Sequence, residues 1–111
     1  MIRVLGKFDL DSYSQSLKKM VFKHSSHFDI VDTIELTFLN VFYIEIPNYL
    51  EDFNIYLGSE EYRNYIKSRN PDLNIIWTLQ KVYVIESLGV KYFIGASKAV
   101  INRNGVEDEI K

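Results

Sequence analysis

From Ile30 onward the even positions read Ile30, Asp32, Ile34, Leu36, Phe38, Asn40, Phe42, Ile44 and Ile46. This period of two, broken only at Asp32 and Asn40, predicts extended chain with one apolar face. At about 3.3 Å per residue, a single straight strand of that length would outrun an ordinary sheet, so a break is expected. Asn40 is its natural place, because Asn tolerates left-handed backbone. A three-residue turn Leu39-Asn40-Val41 keeps Phe38 and Phe42 on one face of a hairpin; a bulge at Asn40 inside one long bent strand is the alternative.

The remaining elements follow from spacing and punctuation. Ile2, Val4 and Phe8 mark a short first strand. Ser12 with Gln15 makes a capping pair, and Tyr13, Leu17, Met20, Val21 and His24 at helical spacing predict a helix over 12–24. After Pro47, Asn48 with Glu51 makes another cap pair. Tyr49, Leu50, Phe53, Tyr56 and Leu57 then continue at helical spacing, and Ser59 restarts a helix that Asn70-Pro71 stops. A kinked or broken helical segment is expected over 48–69. Alternation resumes from Ile75 to Glu86, turns at Ser87-Leu88-Gly89, and continues through Val90, Tyr92, Ile94 and Val100. The fold class expected is α+β. An antiparallel sheet of about five strands carries two or three helices on one face, in the order β-α-β-β-α-β-β, compatible with a ferredoxin-like sandwich plus one strand. Residues 1–103 form a single domain in this reading, and 104–111 an acidic, mobile C-terminal tail after Asn104-Gly105.

Composition supports one ordinary core: 111 residues, 47% apolar and 25% charged. Absence of cysteine excludes structural disulfides, thiolate metal sites and thiol nucleophiles, and suits a reducing compartment. No run approaches the roughly 18 apolar residues of a membrane span, and Met1–Lys7 lacks a signal-peptide core, so a cytoplasmic location without membrane contact is expected. A net charge of −2 argues against nucleic acid as partner.

Charge distribution changes the picture more than its total. Between His24 and Tyr62 there is no Lys or Arg, while Asp29, Asp32, Glu35, Glu45, Glu51, Asp52, Glu60 and Glu61 are all acidic; both flanks are net basic. On the predicted strands Glu35, Tyr43 and Glu45 share the parity opposite the core, and the following segment adds Tyr49, Glu51, Asp52, Glu60 and Glu61. If one side of the fold collects them, it is an anionic surface carrying tyrosines, suited to a basic protein partner. Alternatively these acids pair with the basic flanks across strands.

Catalytic signals are sparse. His24, His27 and Asp29 are the residue types a metal would take, yet their spacing matches no strong signature, and turn or cap roles account for them. No nucleophile elbow, phosphate loop or dinucleotide fingerprint is present, and no cofactor is expected. The reading favoured is a small non-enzymatic protein-binding module, an inhibitor of a basic or nucleic-acid-handling enzyme of the toxin-immunity or viral anti-defence kind. Two alternatives stand beside it. One is an assembly subunit forming homodimers or larger oligomers through sheet edges of the hairpin 74–101; the other is a His/Asp metal-dependent hydrolase.

Overall fold

In the computed structural model, which describes residues 1–24, 34–76 and 78–111, the alternating stretch around Asn40 is one bent strand rather than a hairpin. Its first part, β3 (Ile34–Leu39), pairs antiparallel with β8 (Lys98–Arg103). Its second part, β4 (Tyr43–Glu45), pairs with β7 (Val90–Ala96). The partner stretch bends at Ser97 where the first bends at Asn40. Asn40 lies at φ 53°, its Nδ2 donates to Ser97 Oγ at 2.9 Å, and Ser97 N donates to Leu39 O at 2.9 Å. The two corners therefore hold each other.

The other strands are β1 (Ile2–Ser14), β2 (Lys19–His24), β5 (Tyr49–Leu57), β6 (Lys81–Ser87) and β9 (Val106–Glu109), with one helix, α1 (Glu60–Arg69). All pairings are antiparallel, and neighbours run β4-β7-β6-β5-β1-β2-β3-β8-β9. The β4-β7 pair at one end and the β3-β8 pair inside β9 at the other belong to the same two bent strands, because β3 continues into β4 and β7 into β8. The sheet thus coils until it closes on itself as a barrel, with strands passing its corners at bends.

Side chains fill the interior. Val4, Phe8, Phe22, Leu36, Phe53 and Ile101 are almost wholly buried in one cluster, and the Phe38 and Tyr83 rings meet edge-on at 5.9 Å although β3 and β6 are not neighbours. A second cluster lies outside the sheet, where Ile66 of α1 packs on Val82 and Val84 of β6 and Phe93 of β7. Glu60 and Glu61 begin this helix and Lys67 and Arg69 end it, in accord with its dipole.

The expected α+β sheet of about five strands with two or three helices is therefore corrected: among the described residues the chain is nine strands and one helix. The helix expected over 12–24 is the hairpin between β1 and β2, turning through Lys18 at φ 52°. Leu17 is 69% exposed, so the supposed apolar stripe faces no core, whereas Met20 and Phe22 alternate inward. The helix expected over 48–57 is β5. There Asp52 takes φ 45° and shifts the parity, so Leu50 and Phe53, three apart as on a helix, both enter the barrel. Only the later part of that segment is helical. The strand expected from Ile75 begins at Lys81. Residues 106–109, expected mobile, pair with β8, and Ile110 behind them is buried, its N–H bonded to Ala99 O at 2.9 Å. No helix among the described residues is long and apolar enough to cross a membrane.

Candidate functional site

The acids that are contiguous in sequence separate into groups on the barrel. Glu35 of β3 stands opposite Lys23 of β2, which in turn stands opposite Asp9 of β1. Lys23 Nζ lies 3.8 Å from Glu35 and 3.4 Å from Asp11, so a cation interrupts the acidic row. Glu45 of β4 accepts from Tyr65 Oη at 3.1 and 3.2 Å and lies 3.9 Å from Arg69 Nη2. The Arg69 guanidinium sits 5.5 Å above the Tyr65 ring. Burial, then the Glu45 charge, pushes the nearby Tyr43 phenol up. Glu45 and Tyr43 therefore clamp α1 to the sheet. Glu60 and Glu61 are exposed at the start of α1, apart from both groups.

Tyr49, Glu51 and Asp52 do come together, joined by Asp9, which lies outside the acidic stretch between His24 and Tyr62. Tyr49 is opposite Asp9 in the ladder and donates from Oη to Glu51 Oε2 at 3.3 Å. Its phenol is pushed up by desolvation and then by the charges of Glu51, Asp9 and Asp52. The ring remains 39% exposed. Lys7 stands opposite Glu51. Asp52 also has a structural task, since its Oδ1 accepts the Gly6 N–H at 2.7 Å where the β1–β5 ladder is irregular.

A second constellation was invisible as a motif because its members come from four strands. Arg3, Asn54, Glu86 and Lys91 lie in register across β1, β5, β6 and β7. With Asp52, Leu88 and Gly89 they line an open cleft of about 370 Å³. Tyr56 Oη donates to Glu86 Oε1 at 2.6 Å, and Lys91 Nζ donates to Tyr62 Oη at 2.8 Å while lying 3.8 Å from Glu86. Only the hairpin at Leu88-Gly89 could have signalled part of this, by placing Glu86 opposite Lys91.

The quartet splits its two phenols. Burial and the hydrogen bond to Glu86 push Tyr56 up, whereas the bond from Lys91, and then that from Tyr56, lowers Tyr62. Ionisation of Tyr62 therefore favours the folded state as pH climbs toward 10.0, and Tyr56 opposes it above that value. An ultraviolet titration of phenolate should show an early component that Tyr62→Phe removes. An unchanged early limb in that variant would place the low-titrating phenol elsewhere.

His24 stacks edge-on against Phe8 at 5.2 Å between ring centroids. His27, Asp29 and Asp32 lie outside the described residues. Among the described residues, no group of three or more His, Cys, Asp or Glu side chains is placed to hold a metal ion. No family model, no curated protein and no solved structure matches the chain.

Proposed function

We propose that the chain is a small non-enzymatic protein-binding module whose contact with a basic partner centres on Tyr49, ringed by Asp9, Glu51 and Asp52. The observation that carries this reading is a 39% exposed tyrosine set opposite Asp9 and bonded to Glu51, its phenol pushed up first by desolvation and then by the charges of Glu51, Asp9 and Asp52. An aromatic ring on a fixed sheet face offers contact area at low entropic cost, and the surrounding carboxylates select a cationic surface and speed its approach. Covering the cationic cleft of a nucleic-acid-handling enzyme is the action this suits, as an immunity or anti-defence inhibitor would perform it.

Asp9→Lys with Glu51→Lys is the informative variant, because Glu45 and Asp52 also hold the fold together. Affinity capture from the source cells, followed by reconstitution with the purified partner, should give a basic protein whose affinity falls with added salt. The double variant should bind it at least about tenfold more weakly, the scale of losing one or two good charge contacts. Equal affinity in wild type and variant, or a partner of acidic character, would overturn the reading.

Homo-oligomerisation through the 74–101 hairpin has less support. β6 is paired on both sides, by β5 and β7, and β7 by β6 and β4. The outer strand β9 presents Glu107, Asp108 and Glu109, which oppose pairing with a second copy of itself.

A further inference from the structure

Two hairpin turns in this molecule have the same backbone and different residues. Asn104-Gly105 joins β8 to β9 with φ 53° and 89°, and Leu88-Gly89 joins β6 to β7 with φ 51° and 80°. Both have the paired positive φ values of a type I′ turn, for which Asn-Gly is strongly preferred. Leu at the first position is in a backbone region that side chains of its kind avoid. It does not recover that cost by packing, being 73% exposed, and a Cβ added at the neighbouring Gly89 would meet nothing within 4 Å. Leu88 thus breaks a local rule and a burial rule at once, on a projecting tip, which points to contact with something outside the chain.

The surroundings say what kind of contact. Leu88 lines the cleft beside Arg3, and Leu5, 65% exposed, lines the adjoining groove with Arg3 and Arg103. Arg103 Nη2 donates to Arg3 O at 3.4 Å, and Arg3 Nη1 donates to Asp52 O at 3.3 Å. Both guanidiniums are exposed, and among the described residues neither forms an ion pair with a carboxylate. The nearby acids are already engaged: Asp52 Oδ1 by Gly6 N–H, and Glu86 by Tyr56 and Lys91. Two exposed leucines beside two adjacent arginines put apolar and cationic groups together at this end.

We propose that this end of the barrel docks on a bilayer containing anionic lipid, with Leu5 and Leu88 entering the headgroup boundary and Arg3 and Arg103 meeting lipid phosphates. A protein partner would need cavities matched to both leucines, whereas a fluid headgroup layer accepts them without one, and anionic lipid offers phosphates to the two guanidiniums. This surface adjoins the one around Tyr49 through Asp52, but the side chains that meet lipid are not those that ring Tyr49, so the two contacts can be tested apart.

Sedimentation with mixed phosphatidylglycerol and phosphatidylcholine vesicles tests the proposal, with pure phosphatidylcholine vesicles as control. The wild type should sediment only with the anionic vesicles. Leu88→Asn should weaken partitioning about tenfold and Arg3→Gln with Arg103→Gln about twentyfold. Folding provides an independent readout, because Asn suits the turn: Leu88→Asn should raise the melting temperature by about 2–5 °C while losing the vesicles. Absence of sedimentation with anionic vesicles, equal sedimentation with neutral ones, full retention by Leu88→Asn, or a fall in its melting temperature would each overturn it.

Discussion

Phe38→Ala is expected to lower the stability of the folded chain by about 3–5 kcal/mol, the usual range for emptying a buried phenylalanine site. Phe38 is 0% exposed and sits two residues before the Asn40 corner. It reaches across the barrel to Tyr83, so it ties the bent strand pair to the opposite wall as well as filling volume. Relaxation into the gap is hindered because β3 is held on both sides, by β2 and β8. Tyr83 makes matters worse: its buried phenol has at most a weak contact with the Ala99 backbone, which opposes the shift, and burial pushes it up to about 12. A hole beside that hydroxyl invites water into the interior. Against a typical total of about 5–15 kcal/mol for a domain, the loss is a large fraction. Urea unfolding should show a much lower midpoint with an unchanged slope. Ile44→Ala on the same bent strand, 43% exposed, should move the midpoint little. Equal midpoints for the two variants would mean that the barrel does not close through the Asn40 corner.

Strand character was legible wherever the ladder is regular and failed where it bends. The alternation through Ile34, Leu36 and Phe38 predicts β3, and Ser59 with Glu60 and Glu61 predicts the start of α1, because each signal is local. β5 was misread because its left-handed Asp52 converts a period of two into a spacing of three, and amphipathic spacing alone cannot tell that from a helix. The β1–β2 hairpin was misread because Ser12 and Gln15 have the residue types of a capping pair, while the competing evidence, Met20 and Phe22 facing Phe38 and Leu36, lies in another strand. At the surface the difficulty is similar. Glu35, Glu45 and Glu51 are near in sequence, but Lys23 and Arg69, which answer the first two, come from strands and helices far away. Tyr49 and Glu51 share a face because they are two apart on an extended strand, a placement that the helix expected over this segment would not have given.

Gly6→Ala is expected to cost about 2–3 kcal/mol, for two separable reasons. Gly6 has φ +110°, where any Cβ is strained, and the added atom would stand 2.5 Å from His24 Nε2 and 2.9 Å from His24 Cδ2. His24 cannot swing aside freely, because its ring rests on Phe8, itself 0% exposed and in edge contact with Phe53 at 5.3 Å. The backbone part of the cost belongs to Gly6 alone, whereas the clash belongs to the pair. A double-mutant cycle with His24→Ala should therefore recover about 1 kcal/mol relative to the sum of the single changes, and strict additivity would assign the whole effect to backbone strain. Gly6 also presents its N–H to Asp52 and sets the register that raises Leu5 beside Arg3. The irregular ladder at Leu5-Gly6 and Asp52 is thus the common footing of both proposed surfaces: the acidic one behind Tyr49 and the cationic one at the barrel end. A variant that keeps the fold yet flattens this ladder should weaken both kinds of contact together, although no charged residue has been touched.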